Sequence, residues 1–230
     1  PASELWANAR EAIAGCLAAV AVDPARIAAI GLAGHGNGLY LLDKAGQPLL
    51  GIQSLDTRAA SLAADLDQRV GLDLHAICLQ RPWASQTPVL LAWLKAQRPE
   101  TYANAGTLCF AKDIIGWQLT GVRASEVSDM SGAGLLRLPE ASYDAGLLAL
   151  YGLSDAQALL PPLAQPTDVV GHVTAAAAAA TGLRAGTPVV AGYFDVVASA
   201  LGSGAVGTGG ASIVLGSRPI NQTFAAATAR

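Results

Sequence analysis

The sequence predicts an α/β protein, a mixed sheet flanked by helices, on two observations. Residues 27–32 are a nearly uninterrupted apolar run that ends in a loop with glycines at 34, 36 and 38, the pattern of a buried parallel strand. Residues 186–204 run a short apolar strand through Val189, Val190 and Ala191 into an apolar helix, with a single acid, Asp195, at the junction. In open α/β sheets ligands gather where strands end and helices begin, so this junction is the first place to look for chemistry.

Taken in order, Leu5, Trp6, Ala9, Ile13, Cys16, Leu17 and Val20 recur at three- and four-residue steps. They predict an amphipathic helix to about residue 22, with Ser3 as its cap and Asp23-Pro24 as its stop. Beyond the 27–32 strand, residues 39–42 and 48–52 form a hairpin about Lys44-Ala45-Gly46-Gln47. Ala59, Leu62, Ala63, Leu66 and Val70 mark the next helix, with Asp56 placed to cap it. Thr87 and Pro88 suit the cap and first turn of a helix that ends before Pro99. Residues 106–110 read as a strand and 112–119 as a helix closed by Gly121. The polar stretch 124–134, containing Glu126, Ser128, Asp129 and Ser131, reads as a loop. Short helices at 143–151 and 155–160, a strand at 169–173 and a six-alanine helix at 175–180 lead to the central junction. Beyond Gly204 come a glycine turn and a strand at 211–215, and a domain boundary is expected near Ser203.

Composition narrows the classes. Hydrophobic residues make up 52 % of the 230, and only 13 % are charged, against about 25 % in ordinary domains. A large share is therefore buried or covered, which leaves room for a homodimer surface. A net charge of −3 gives no pull toward nucleic acid or an anionic membrane, and neither partner is expected. Cys16, Cys78 and Cys109 lie far apart and share no paired spacing with the histidines, so neither a disulfide frame nor a metal site is expected. A reducing, cytoplasmic setting fits, and no run is long enough to span a bilayer.

Asp195 has two local readings. As an N-cap it accepts hydrogen bonds from the first free N–H groups of the helix and stays ionised in the positive end of the dipole. As a base it faces a bound hydroxyl.

Six pieces of the chain resemble the FGGY family of carbohydrate kinases, most of all its L-xylulokinase-type members. They are the loop and hairpin from Gly34-His35-Gly36-Asn37-Gly38 to Asp43, the Asp56 and Arg58 pair, Lys112-Asp113 leading to Trp117-Gln118-Leu119-Thr120-Gly121, Ser128-Asp129-Met130-Ser131-Gly132, Gly192-Tyr193-Phe194-Asp195 followed by Ala200-Leu201-Gly202, and, more loosely, Gly216-Ser217 with Ile220-Asn221-Gln222. They follow the family's order from Leu5 to Gln222.

The resemblance implies an actin-like, ribonuclease-H-like pair of α/β domains that closes on a sugar and on ATP with magnesium. Residues 1–203 would be most of the N-terminal sugar-binding domain, and 204–230 the beginning of the C-terminal nucleotide-binding domain. The implied reaction is ATP-dependent phosphorylation of a small ketose, such as a pentulose, or of a polyol. By the family pattern Asp195 is the base, while Gly34, His35, Asp56, Arg58 and Phe194 surround the sugar. Gly216 and Ser217 fall at a turn that holds a phosphate of ATP. A loose phosphoryl-transfer transition state asks for orientation of the hydroxyl more than for base strength, so an ionised Asp suffices.

Locally, Asp56 also reads as a helix cap paired with Arg58, and His35 as a loop residue bonded to backbone. Lys112 and Glu126 fall in motif positions and are read as structural charges at a helix start and in a polar loop. The family's Asp-Gly-Thr hairpin is absent before Pro1 and most of its nucleotide domain is absent after Arg230, so the chain by itself is expected to be inactive. Those absences, with Arg218-Pro219 where Pro219 removes an N–H donor, motivate an alternative: a non-catalytic sugar-binding or regulatory domain. A dinucleotide-binding oxidoreductase would need a strand feeding a phosphate-binding helix, and the glycines between Gly202 and Gly210 come in the reverse order.

Overall fold

The computed structural model describes residues 4–215 and 219–226. Ser3, expected as a helix cap, and Gly216 and Ser217, expected at a phosphate turn, lie outside the described residues.

Helix α1 (Leu5–Val20) ends at Ala21, whose backbone is left-handed with φ 46°. The Asp23 side chain then accepts from the Ala25 N–H at 2.9 Å and opens a single 3₁₀ turn. The apolar 27–32 run is extended and parallel in character, but it is not the deeply buried strand its composition predicts. Ile30 bridges Val189, and regular pairing begins only at β1 (Ala33–Gly34). Ile27, Ile30 and Leu32 pack inward, whereas Ala28, Ala29, Gly31 and Ala33 are exposed. The small residues alternate onto an open side, and that alternation is hidden when every residue of the run is apolar.

Strands β2 (Leu39–Asp43) and β3 (Pro48–Ile52) form the expected antiparallel hairpin, and β4 (Ala105–Cys109) adds to the other edge of β2. Leu39 and Leu41 point into a large core against α2 (Ala60–Cys78) and α3 (Thr87–Gln97). Tyr40 and Leu42 point the other way, against Ile114 and Trp117. This period of two places apolar side chains on both faces, so the sheet is covered on each side.

Two expected caps are not made. Ala59, not Asp56, precedes α2, and Thr87 sits inside α3 rather than capping it, with its buried hydroxyl unpaired among the described residues. After α4 (Pro99–Asn104), helix α5 (Ala111–Thr120) ends at Gly121 with φ 75°, as its sequence predicts.

The polar stretch 124–134 is not a loop. It holds β5 (Ser125–Glu126) and α6 (Val127–Gly132), because the Glu126 carboxylate caps α6 by accepting from the N–H groups of Ser128 and Asp129. A two-stranded ribbon follows, β6 (Leu136–Arg137) with β7 (Ser142–Tyr143), and then α7 (Ala145–Leu150), capped by Asp144. The expected second short helix is a 3₁₀ turn at Ala156–Leu159.

Strand β8 (Leu163–Ala164) lies parallel to β5, and β9 (Val169–His172) precedes α8 (Ala175–Thr181), which Thr174 caps. Strand β10 (Pro188–Val190) pairs antiparallel with β9, and β11 (Tyr193–Phe194) runs parallel to β1 into α9 (Asp195–Gly202). The hairpin of β12 (Ala211–Val214) and β13 (Ile220–Thr223) completes the described chain. A further core of Leu119, Val173, Ala177, Leu183 and Val189 is closed by Trp6, Ile13 and Leu17 of α1. Among the described residues no helix is long and apolar enough to cross a membrane.

Candidate functional site

Two segments about 160 residues apart build the site. Ala33 and Gly34 pair in parallel with Tyr193 and Phe194, and the Tyr193 N–H donates to the Leu32 carbonyl at 3.0 Å. Parallel strands end on the same side, so the next residue of each, His35 and Asp195, emerges at the same edge. Gly192 makes this approach possible: its φ is 85°, and a Cβ there would run into the Leu32 carbonyl oxygen.

Asp195 is the first residue of α9, and Phe194 occupies the cap position without a side-chain bond. The expectation of an N-cap carboxylate is corrected in that respect. Burial pushes its carboxyl above the usual range, against the Val196 N–H and the neighbouring His35, which both favour the ionised form. Among the described residues the His35 side chain bonds to another side chain, not to backbone. Its Nε2 lies 3.0 Å from the Tyr40 hydroxyl, and the two rings meet edge to face at 5.7 Å. Tyr40 is buried, which raises its phenol and keeps it a neutral partner for the imidazole.

Below the loop lies a group whose chemistry the sequence did not disclose. Lys112 Nζ reaches Asp113 Oδ1 at 2.8 Å, Asp129 Oδ2 at 2.9 Å and Glu126 Oε1 at 3.4 Å, and all four side chains are 4 % exposed or less. Lys112 and Glu126, expected as charges at a helix start and in a polar loop, lie inside the molecule. Burial works against the Lys112 ammonium, yet the three surrounding carboxyl groups outweigh it and hold its pKa above the usual lysine value. Burial raises Asp129 to about 8 despite Lys112, with Asp113 and Glu126 acting in the same direction as burial. Asp113 also accepts from the Phe110 N–H at 3.0 Å and so fixes the start of α5.

The glycines of the loop fit over this floor. A Cβ on Gly34 would fall 2.9 Å from the Lys112 Cβ, and one on Gly36 would fall 2.5 Å from Asp129 Oδ1. The Phe194 ring fills the space between Gly36 and Gly132, where added Cβ atoms would lie 2.8 and 2.9 Å from it. Asn37 ties the loop to the end of α6 through its amide, which donates to the Gly132 carbonyl at 3.2 Å.

Asp56 and Arg58 form a separate unit. Asp56 Oδ1 accepts from the Arg58 N–H, the two side chains make a bidentate ion pair at 2.8 Å, and the guanidinium lies 5.3 Å over the Trp93 ring. Arg58 hydrogen bonding holds the Asp56 carboxyl below its usual value. Among the described residues no hydrogen bond or ion pair joins this unit to His35 or Asp195. The structure brings together Gly34, His35, Phe194 and Asp195, while Asp56 and Arg58 bond to each other and stack on Trp93.

The missed residues had one visible signal. Glu126 and Asp129 stand three apart, the spacing of a helix-start cap, just after a lysine-acid pair at the start of the previous helix. Among the described residues no group of three or more His, Cys, Asp or Glu is placed to hold a metal ion. The carboxyl groups that do converge already enclose an ammonium.

Residues 1–202 match the N-terminal domain of the FGGY family of carbohydrate kinases. The chain belongs to the FGGY family. It is 37 % identical over 204 residues to the L-xylulose/3-keto-L-gulonate kinase of Escherichia coli (strain K12), covering 88 % of this chain and 41 % of that protein. It is 33 % identical over 193 residues to the autoinducer-2 kinase of Yersinia enterocolitica, covering 83 % and 36 %. The xylulose kinase of Rhodospirillum rubrum superposes with a TM-score of 0.85 at 30 % identity, over 93 % of this chain and 44 % of that one. This likeness to a solved sugar kinase bears out the actin-like α/β class expected from the resemblance. This FGGY chain spans about two fifths of the length of the curated relatives it matches.

Proposed function

We propose that the chain is the sugar-binding lobe of an ATP-dependent carbohydrate kinase that phosphorylates a hydroxyl of a small ketose, with a pentulose as first candidate. Residues 1–203 belong to that lobe and 204–230 open the nucleotide-binding lobe. The observation that carries the reading is the parallel pairing of β1 with β11, which sets His35 and Asp195 at one edge above a glycine-lined loop. Asp195 takes the proton of the sugar hydroxyl as its oxygen bonds to the γ-phosphorus of ATP and ADP leaves. His35 and the backbone of Gly34 orient the hydroxyls, and Phe194 walls the pocket, while Asp56 and Arg58 contact a more distant part of the sugar. Partial burial of Asp195 supports its role, because a base shielded from water interacts more strongly with the bound alcohol.

ATP is the second substrate. Its phosphate turn is assigned to Gly216 and Ser217, and magnesium would come bound to the phosphates of ATP. The similarity to L-xylulose kinases supports L-xylulose as the first sugar to test. In the intact protein, Asp195→Asn should cut turnover with L-xylulose and ATP by at least about 10²-fold, the scale of losing a general base. Sugar affinity, read by titration calorimetry, should hold. Unchanged turnover would remove Asp195 as the base. Turnover on another ketose or polyol in a wider screen, with none on L-xylulose, would change the sugar and leave the mechanism standing.

A further inference from the structure

Among the described residues no side chain caps α9, and Asp195 sits partly exposed at the first position of the helix. The residue before it is anchored from another element: the Phe194 N–H donates to Ser128 Oγ at 3.0 Å. The Ser128 hydroxyl in turn donates to Glu126 Oε1 at 2.9 Å, so its hydrogen is committed and its oxygen is left free for the Phe194 N–H. Glu126 is fully buried and has no freedom to turn. Its two oxygens also accept from the Ser128 and Asp129 N–H groups at 2.5 and 2.9 Å, and Lys112 Nζ stands 3.4 Å away.

We infer that Ser128 is a positioning residue for the catalytic base: oriented by Glu126, it clamps the backbone of Phe194 and so fixes where the Asp195 carboxylate points. This rests on the assignment of Asp195 as base. The direction of the bonds supports the clamp. A serine hydroxyl free to rotate could accept or donate, but one already donating to a buried carboxylate presents only an acceptor to Phe194. The Phe194 ring is wedged between Gly36 and Gly132, and the Phe194 backbone pairs with Gly34 of β1. The Ser128 bond adds a third hold, on the peptide N–H. Small errors in placing a reacting group lower turnover steeply, whereas binding of the ground-state sugar is less sensitive to them.

The test compares Ser128→Ala, Ser128→Cys and Ser128→Thr with the unchanged intact kinase. Cysteine keeps the shape but accepts hydrogen bonds weakly, and threonine restores the hydroxyl. Amide exchange across residues 193–197, which needs no substrate, should quicken about tenfold in the Ala and Cys variants and return in the Thr variant, as expected for an opening that loses about one hydrogen bond. With ATP and the sugar that the intact kinase turns over, kcat should fall about tenfold while KM stays within about twofold, and Thr should rescue it. Unchanged exchange in both Ala and Cys variants overturns the inference. So does unchanged kcat in these variants while Asp195→Asn is inactive, an outcome that leaves the base assignment intact. Full activity in Asp195→Asn overturns the base assignment and the positioning role with it.

Discussion

At the scale of single residues, the raised pKa of Asp195 has a direct kinetic consequence. A base works deprotonated, and burial makes this carboxyl harder to ionise than a solvated aspartate. With Asp195 as the proposed base, activity of the intact kinase is lost as pH falls through that raised value, so the acid limb of the kcat/KM profile, which reports the free enzyme, should lie above the range near 4 where an ordinary aspartate titrates. An acid limb at or below 4 would mean that some other group reports the loss. Glycine 36 acts through space rather than charge. Its absent side chain is room already taken by Asp129 Oδ1 and the Phe194 ring. Gly36→Ala should cost about 1–3 kcal/mol, the usual penalty for overpacking, and weaken sugar binding by displacing Phe194. Gly207→Ala, in open space at an ordinary backbone angle, should change stability by less than about 0.5 kcal/mol. Thermal melts of the two variants, read side by side, check this contrast.

At the scale of elements, the sequence was informative wherever one residue's side-chain pattern decides the outcome. The hairpin of β2 and β3, the stop of α5 at Gly121 and the helix after Asp195 were legible because turn residues and periodicity act locally. Helix α6 was not. Its residues are polar, and polarity marks a loop unless the charges are buried against partners distant in sequence, here Lys112 and Asp113. The parallel pairing of β1 with β11 was illegible for a related reason, since register between segments 160 residues apart leaves no local trace. The caps at Asp56 and Thr87 failed because a competing bond or a one-residue shift won: Asp56 turned to Arg58, and Thr87 slid into the helix. The buried cluster also makes stability depend on pH. The Asp129 carboxyl is raised to about 8 in the folded chain and returns to about 3.9 when unfolded. The folded state thus binds its proton more tightly. Its stabilising contribution is full below about pH 4 and is lost as pH rises toward 8, on the order of a few kcal/mol in all. Asp56, Asp144 and Asp155 are shifted down instead and act below pH 4, outside this window. Asp129→Asn, which keeps the shape without the titration, should flatten the decline of melting temperature between pH 5 and 8. An equally steep decline in that variant would place the proton elsewhere.

At the scale of the whole molecule, the α/β class came through because strands and helices alternate along most of the chain, while the placement of a boundary near Ser203 depends on how the last hairpin is attached. Among the described residues, the three hydrophobic cores extend to Val189 and none draws on a residue beyond α9. Among the described residues of the 204–226 segment, Ala205 is the one buried apolar residue, while Val206, Ile213 and Leu215 are exposed. Among the described residues, one of its side chains reaches back to the lobe, with Gln222 Nε2 donating to the Val196 carbonyl at 2.9 Å. Strands β12 and β13 pair only with each other, as a two-stranded sheet. Such a hairpin contributes little to the folding of what precedes it. A chain ending after Ser203 should therefore fold and melt cooperatively within about 4 °C of the longer one, the shift that about 1 kcal/mol produces at this size. Helix α9 is the element most exposed to the change, because losing the Gln222 bond frees the Val196 carbonyl in its first turn. Amide exchange should quicken there and remain unchanged in α2, α3 and α5. A truncated chain that fails to melt cooperatively, or loses protection throughout the cores, would show that the hairpin is part of the sugar-binding lobe and that the boundary lies further on.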